Sequence, residues 1–472
     1  MIDTLKLPMV EALETTLSPL ELFECIKGDA DSFFLDSAMD PQKLGRYSLM
    51  GYSPFMIIIS RGEDITIKKA SGETKFKGNP FEEIGRYLES YHLEKDELQL
   101  PCNGGAVGYL SYDLGRLIER LPSKAIDDLQ LPESHFGFYD IMLIYDNQAK
   151  LAYLVSTGFP ENGQSSRAAR AKERLDEFKK RLKVFSRLPA QISDHEKMAA
   201  LKSNFSHEAY VRAVEKARSY IIEGDIFEVN ISQRYETEID VTPFELYRRL
   251  RKVNPAPFAA YLNFDEVVIA SSSPERFLRL QGDRVETRPI KGTIRRGKNQ
   301  EEDELNSAWL LNSVKDRAEN MMIVDLERND LGRVCRYGSI KVTELAVLEK
   351  YPSVFHLTST VVGRLRKEVT RIDLLKATFP GGSITGAPKI RSMEIIDELE
   401  PTRRSLYTGS IGYLSFDGDL DLNIIIRSFL IKGNKAYFQL GGAVVYDSDP
   451  EAEYQETLIK GQALFRALNE ES

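Results

Sequence analysis

The run from Ile411 to the C-terminus restricts the fold more than any other part of the chain. Ile411 to Phe416 reads as a strand and Asp417-Gly418-Asp419 as a turn. Leu422 to Ile431, rich in β-branched residues and carrying Arg427, reads as the next strand. Lys432-Gly433-Asn434 turns the chain again, and Ala436 to Leu440 returns. Short turns between apolar runs join antiparallel neighbours, because a parallel neighbour needs a crossover of about a dozen residues or more. After Gly441 and Gly442 a last helix begins, with Asp449 as its N-cap and Pro450 as its first residue. The class expected is therefore α+β, with large antiparallel sheets sandwiched and helices outside. No G-x-G-x-x-G follows a strand and no G-x-x-x-x-G-K-[ST] occurs, so neither common glycine loop for dinucleotides or nucleoside triphosphates is present.

At 472 residues the chain is too long for one ordinary core, so two domains or one very large fold are expected. Residues 1–157 read as mixed strands with short helices. Residues 158–204 read as a loop, a charged helix from roughly Ser166 to Lys183, and a linker from 187. Residues 205–472 alternate strand and helix densely, and the two large parts are expected to pack as one fold. The helix that opens this last part is capped by Ser206, shows Tyr210, Val214, Ala217 and Ile221 on one face, and stops at Gly224. Gly104 to Asp113 is echoed by Gly409 to Asp417, as an internal duplication or as two similar strands ending in an acidic turn.

The formal net charge is −9 and no Lys/Arg patch stands out, which argues against a nucleic-acid partner. An anionic substrate must then be caught by local cations or a metal, not by the overall field. No stretch approaches the roughly 18–20 apolar residues of a membrane span, and Met1 to Val10 holds no secretory run. Cys25, Cys102 and Cys335 form no CxxC pair, which fits a reducing cytoplasm and no disulfide framework.

Several places carry residues suited to chemistry. On the last helix Glu453, Glu456 and Lys460 fall within about 60° of one another, opposite Tyr454, Leu458, Gly461, Phe465 and Leu468. That trio is a solvated face with i,i+4 support, or part of a hard-cation site suited to Mg²⁺. Glu319 offers a third acid near the end of a helix from about Asp303 to Met321, with Ala308, Leu311, Val314 and Ala318 inward; a strand Met322 to Leu326 follows. Alone, Glu319 is more often a surface acid. Pro380 to Lys389 is a glycine loop opening a helix Ile390 to Leu399, an ordinary helix start or an anion-holding one. Lys291, bracketed by Pro289 and Gly292 as in a sharp turn, is a solvent-facing tail or an amine nucleophile activated by desolvation and an adjacent base. Glu275 is an acid in the first turn of a helix capped by Ser273, or that base. His356 among apolar neighbours is a core histidine or a proton donor near neutral pH.

The segments PIKGT (289–293), AENMMIVDLERNDLGRV (318–334), FHLTS (355–359), PGGSITGAPKIRSMEIIDELE (380–400), IIIRS (424–428) and GGAVVYDSDPEAEYQET (441–457) together resemble, in the same order, the chorismate-utilising enzymes. That family includes anthranilate, aminodeoxychorismate, isochorismate and salicylate synthases. The resemblance spans residue 205 to the C-terminus. It is weaker before that, where Phe34-Leu35-Asp36-Ser37 looks like the strand framing a tryptophan site. It implies an anthranilate synthase component I-like fold. It implies a Mg²⁺ cluster of Glu319, Glu453 and Glu456 holding the ring carboxylate. It assigns Tyr407, Arg427 and the amides of Gly441 and Gly442 to the enolpyruvyl side, with Lys460 near the carboxylates. Ser383 and Thr385 fall in a loop that closes on the substrate, His356 near the leaving hydroxyl, and Asp36 and Ser37 at the tryptophan site.

The same resemblance implies which reaction to expect. Anthranilate synthases carry alanine where this chain has Lys291, and aminodeoxychorismate synthases carry lysine. Hydrating members place a lysine at the position of Glu228. The implied course is attack of Lys291 at C2, then addition of ammonia at C4 to give 4-amino-4-deoxychorismate for 4-aminobenzoate and folate synthesis. Glu275 is the acid/base partner, and a glutamine amidotransferase subunit supplies the ammonia. The alternative is an anthranilate synthase component I. A non-catalytic tryptophan-sensing subunit fits less well, since it has no need of the acid cluster.

Overall fold

The computed structural model describes residues 7–95, 98, 100–184, 200–264, 266–351 and 354–469. The linker expected from 187 lies outside the described residues as far as 199, and Lys202–Ser203 then pairs as a short strand with Glu228–Glu238. The charged helix is present as Gln164–Val184. Among the described residues two antiparallel sheets of twelve strands each make up the centre.

Each sheet takes strands from both large parts of the sequence. In the first, Ser32–Asp36 pairs with Phe258–Phe264, Phe34 lying opposite Tyr261. In the second, Gly105–Leu110 pairs with Ser410–Ser415, Gly108 lying opposite Gly412. The two segments that echo each other in sequence are thus neighbouring strands at the seam of the second sheet. Among the described residues, strands before residue 157 and strands after residue 205 are hydrogen-bonded neighbours in both sheets.

Side-chain alternation makes the layers. On the strand Ile141–Asp146, Ile141, Leu143 and Tyr145 pack among Leu22, Phe23, Leu175, Phe178 and Leu250 of the helices outside the first sheet. Met142 and Ile144 point the other way, into a layer shared with Val107, Tyr109, Tyr139 and Ile411 of the second sheet. A strand buried on both faces has no polar side to show, which is why these runs are apolar throughout. Helices cover the second sheet's far face, with Ile84, Leu88, Val324, Leu331, Leu375, Met393 and Ile396 in that layer.

Three local expectations are corrected. Met322 to Leu326 is not a strand; it continues the helix Val314–Gly332, which begins after a break at Ser313 that ends the helix Gln300–Asn312. Ile323 and Val324 are buried there one helical face apart from the exposed Met321. Ala308, Leu311, Val314 and Ala318 do not face inward: Val314 is 82% exposed, and the buried side chain is Leu310. Ser273 caps no helix. It ends the strand Val267–Ser273, and after two intervening residues Arg276–Gln281 begins in the other sheet.

That last connection positions the site. Pro274-Glu275 carries the chain from the first sheet to the second, and residues 424–427 carry it back from Leu420–Asn423 to Ser428–Lys432. The two crossings lie side by side. The Ser273 hydroxyl donates to Ile424 O at 2.6 Å, Ile424 N–H donates to Glu275 O at 3.0 Å, and Ser272 N–H donates to Arg427 O at 3.1 Å.

Candidate active site

A cavity of about 290 Å³ opens beside these crossings. Arg427, at φ +52°, sits on one of them in a backbone region that L-residues rarely enter, a strain that the paired crossings hold in place. Glu275, 4% exposed, sits on the other. Lys291, Ser383, Tyr407, Gly441, Lys460, Glu319, Glu456 and His356 line the same cavity.

Lys291 reaches it through a β-bulge, not through the sharp turn expected. In the strand pair Ile290–Arg295 and Val354–Arg364, Ile290 faces Thr358 and Thr293 faces His356, so one strand holds an extra residue. Gly292 takes φ +89° to allow this. The bulge delivers the Lys291 amine, almost wholly buried, to Glu228 Oε1 at 2.5 Å.

Glu275 Oε1 accepts from the Ser383 hydroxyl at 2.6 Å and from Ile290 N–H at 3.3 Å. Burial pushes its carboxyl up to about 7, against the pull of those donors and of Lys291 and Arg427. Ser383 belongs to the 3₁₀ turn Gly382–Ile384. Thr385 ties that loop to itself, its hydroxyl donating to Gly381 O at 3.0 Å. The buried Glu327 accepts from Gly382 N–H at 3.1 Å and anchors the loop from behind.

His356 is fully buried, with Nδ1 2.8 Å from Thr293 Oγ1 and Nε2 3.0 Å from Arg427 Nη2. A guanidinium only donates, so Nε2 accepts and Nδ1 carries the proton. Burial, and then the charges of Arg427 and Lys460, hold the ring neutral well below the ordinary range. In this arrangement His356 Nε2 faces the Arg427 guanidinium within the cavity.

On the last helix, Pro450–Asn469, the expected faces are redrawn. Glu453 lies on the buried stripe with Thr457, Gly461, Leu464 and Ala467. Gly442 lies under it: a Cβ there would come 3.2 Å from Glu453 Oε2, 3.8 Å from Glu456 Oε1 and 3.9 Å from Lys460 Nζ. Gly441 likewise leaves room for Tyr407, whose hydroxyl a Cβ would meet at 2.8 Å. Lys460 Nζ donates to Gly441 O at 3.2 Å and pairs with Glu456 Oε1 at 2.7 Å, which holds Glu456 below the usual carboxylate range.

Among the described residues no three His, Cys, Asp or Glu side chains converge closely enough to grip a metal ion. The donors nonetheless have the character a hard cation needs. Glu319 Oε1 and Glu453 Oε2 are buried without a hydrogen-bond partner, a costly state for a carboxylate oxygen. Burial raises both acids, Glu319 to about 7. Glu453 Oε2 without a partner, Glu319 Oε1 with only Lys315 Nζ at 3.9 Å, the adjacent Glu456 and the space Gly442 leaves beside Glu453 and Glu456 suit Mg²⁺ chemically. Glu319 would have to draw toward Glu453 and Glu456 for all three to share one ion.

The cavity also holds residues that sequence reasoning missed. Asn230, Gln439, Trp309, Lys315 and Asp316 line it. Asn230 donates to Ser383 O at 3.2 Å. Trp309, the only tryptophan, stands at the rim, 59% exposed. Nothing in their spacing marks them, because they converge from separate strands and helices. The pairing of Glu228 with Lys291 was equally invisible across sixty-odd intervening residues.

A second cavity, of about 410 Å³, lies between the sheets and is lined by Asp36, Ser37, Tyr47, Pro257, Phe258 and Arg276 among others. The Asp36 carboxylate is engaged by Arg251 at 2.5 Å and by the Tyr247 hydroxyl at 2.8 Å. Ser37 donates to Tyr47 O at 2.7 Å.

A family model described as chorismate binding enzyme matches residues 32–466. The chain is 42% identical over 429 residues to the aminodeoxychorismate synthase component 1 of Bacillus subtilis, covering 90% of this chain and 89% of that protein. It is 40% identical over 460 residues to the anthranilate synthase component 1 of Acetivibrio thermocellus, covering 96% and 93%. The fold is similar to the crystal structure of anthranilate synthase component I from Streptococcus pneumoniae, with a TM-score of 0.78 at 34% identity over 89% of this chain and 92% of that one. With its family's model matched over nearly its whole length, the chain belongs to the chorismate-binding enzymes.

Proposed function

We propose that the protein aminates chorismate at C4 to give 4-amino-4-deoxychorismate. The observation that carries this reading is Lys291: a buried amine, set on a bulge, opening into the same cavity as a carboxyl whose proton is held to about pH 7. Nζ attacks C2, both ring double bonds shift along the conjugated path from C2 to C4, and the C4–O bond breaks as Glu275 gives its proton to the departing hydroxyl. Ammonia then bonds to C4 and the C2–Nζ bond breaks, freeing the lysine. Arg427, held by His356, and Tyr407 suit the enolpyruvyl carboxylate and ether side, and Lys460 adds charge near the ring carboxylate.

Glu319, Glu453 and Glu456 would hold Mg²⁺, which when bound supplies positive charge for the ring carboxylate. Glu456→Ala should therefore lose most Mg²⁺ affinity, read directly by Mn²⁺ electron paramagnetic resonance in competition with Mg²⁺, together with turnover. An exposed helix-face glutamate changes stability by only about ±0.5 kcal/mol, so the thermal midpoint should stay put. Unchanged Mn²⁺ binding would remove the metal assignment.

The ammonia source is proposed to be a glutaminase subunit. Burial pushes the thiols of Cys25 and Cys335 up to about 11 and that of Cys102 up to about 12, so none is a ready thiolate for glutamine hydrolysis. The chain should turn over with ammonium salts and show no glutamine-dependent activity alone. Turnover with glutamine and no added subunit is the result that would contradict this. Tryptophan is a proposed occupant of the second cavity, near Ser37 and Phe258.

The deciding experiment is product analysis with chorismate, Mg²⁺ and ammonium, with and without a lyase that releases pyruvate from the aminodeoxy product. The expected product is 4-amino-4-deoxychorismate, converted to 4-aminobenzoate only when the lyase is present. Direct appearance of fluorescent anthranilate would favour the second reading, which the naming of relatives at similar identity keeps in view.

A further inference from the structure

We propose that Glu228 is the base that frees the Lys291 amine for attack and later returns its proton. This deepens the proposed amination and rests on Lys291 acting as the nucleophile. Glu228 opens the strand Glu228–Glu238 and is wholly buried. Its Oε1 lies 2.5 Å from Lys291 Nζ, and its Oε2 has no hydrogen-bond partner. A buried carboxylate meant to stay charged gathers several donors, as Glu400 does with Arg404 and the Ser232 hydroxyl and amide. Glu228 has one side-chain donor, the reacting amine itself. Passing a proton from ammonium to carboxylate inside such a pair turns two buried charges into two neutral groups, the direction burial favours. Glu275 does not compete for this role, since its bonded oxygen is taken by Ser383 and Ile290 and it makes no hydrogen bond to Lys291.

The protons balance over the cycle. Glu228 takes one proton from the Nζ ammonium. The neutral amine bonds to C2 and becomes a secondary ammonium, while the C4 hydroxyl leaves as water with the Glu275 proton. Ammonia bonds to C4 as the C2–Nζ electron pair returns to Nζ, which then takes its proton back from Glu228. The new C4 ammonium reprotonates Glu275.

The test is single-turnover formation of the Lys291–chorismate adduct without ammonia, followed by intact mass, in wild type and in Glu228→Gln. Glutamine fills the same volume and its carbonyl still accepts from Nζ. Adduct formation in the variant should slow by about 10²- to 10⁴-fold, the usual worth of a positioned proton acceptor, with chorismate affinity unchanged. The variant should recover as pH is raised from about 7 to about 9.5, because water and hydroxide then take the proton that Glu228 would have taken. Glu319, Glu275 and Glu456 also face the ammonium. Glu228 helps to raise Glu319 to about 7, so Glu319 titrates lower in the variant, and the two profiles are compared above about pH 8, where Glu319 is ionised in both. Glu228→Asp, which keeps an acid at shorter reach, should be slower than wild type with the wild-type pH profile. A wild-type adduct with Glu228→Gln equally fast and with an unchanged profile would overturn the role of Glu228 alone. No adduct in wild type would overturn the Lys291 reading, and this one with it.

Discussion

Lys291→Ala is expected to lower the rate of 4-amino-4-deoxychorismate formation on the order of 10³-fold or more, the scale seen when a nucleophile is removed. The bulge should survive, because Pro289 and Gly292 are untouched and the ladder contacts of Ile290 and Thr293 are made by backbone. The change does leave Glu228 buried without its cation, and breaking a buried pair costs roughly 3–5 kcal/mol unless the acid protonates. Lys291→Ala with Glu228→Gln removes that charge and should restore the thermal midpoint without restoring turnover. Chorismate and Mg²⁺ should still bind, since Arg427, Tyr407, Lys460 and the acids remain. Lys291→Arg should not rescue, because a guanidinium stays charged and cannot attack. Wild type given chorismate without ammonia should carry the adduct on Lys291 by peptide mapping, and the variants none. Wild-type turnover in Lys291→Ala would make Lys291 a bulge residue only and return the choice between the two aminating reactions to open contest.

The turns of 411–440 were legible because hairpin turns advertise themselves in Asp, Gly and Asn. Leu422 to Ile431 is not the single strand expected: Leu420–Asn423 belongs to one sheet, Ser428–Lys432 to the other, and 424–427 cross between them. The last helix was legible too: its start at Asp449-Pro450 holds as read, Ala452 N–H donating to Asp449 Oδ1 at 2.9 Å. The helix Val314–Gly332 was misread as helix then strand. Its run Met322 to Leu326, apolar but for Asp325, is too short to separate a strand from a buried helix by period alone. Ser273 looked like a cap because serine before proline and an acid is what a helix start looks like; only pairing across two sheets reveals a crossing. The residues lining the cavity were largely nameable from motifs. Their partners were not: Glu228 with Lys291, Ser383 with Glu275 and Arg427 with His356 meet across long separations. Those pairings decide protonation, and so they decide roles.

Glu275 is the second large effect, and its sign follows from burial. Glu275→Gln keeps an oxygen to accept from Ser383 and Ile290 but has no proton to give. The expected fall in kcat is about 10²- to 10⁴-fold, with KM for chorismate little changed. In wild type the acid form is needed and its carboxyl is pushed up to about 7, so kcat should decline as pH rises through about 7. The Gln variant should lack that limb. Folding gives an independent reading. The native state binds this proton more tightly than the unfolded chain, whose glutamates titrate near 4.5. Its contribution to stability is therefore full below that value and is lost as pH rises through about 7. Glu319 and Glu327 are raised to about 7 too and lose stability over the same range, so wild type and variant must be compared as a difference. That difference should favour the Gln variant progressively from about pH 5 to about pH 8. If the variant instead keeps wild-type kcat and the stability difference is flat with pH, Glu275 is already ionised at neutrality, and the proton for the leaving hydroxyl must come from another group.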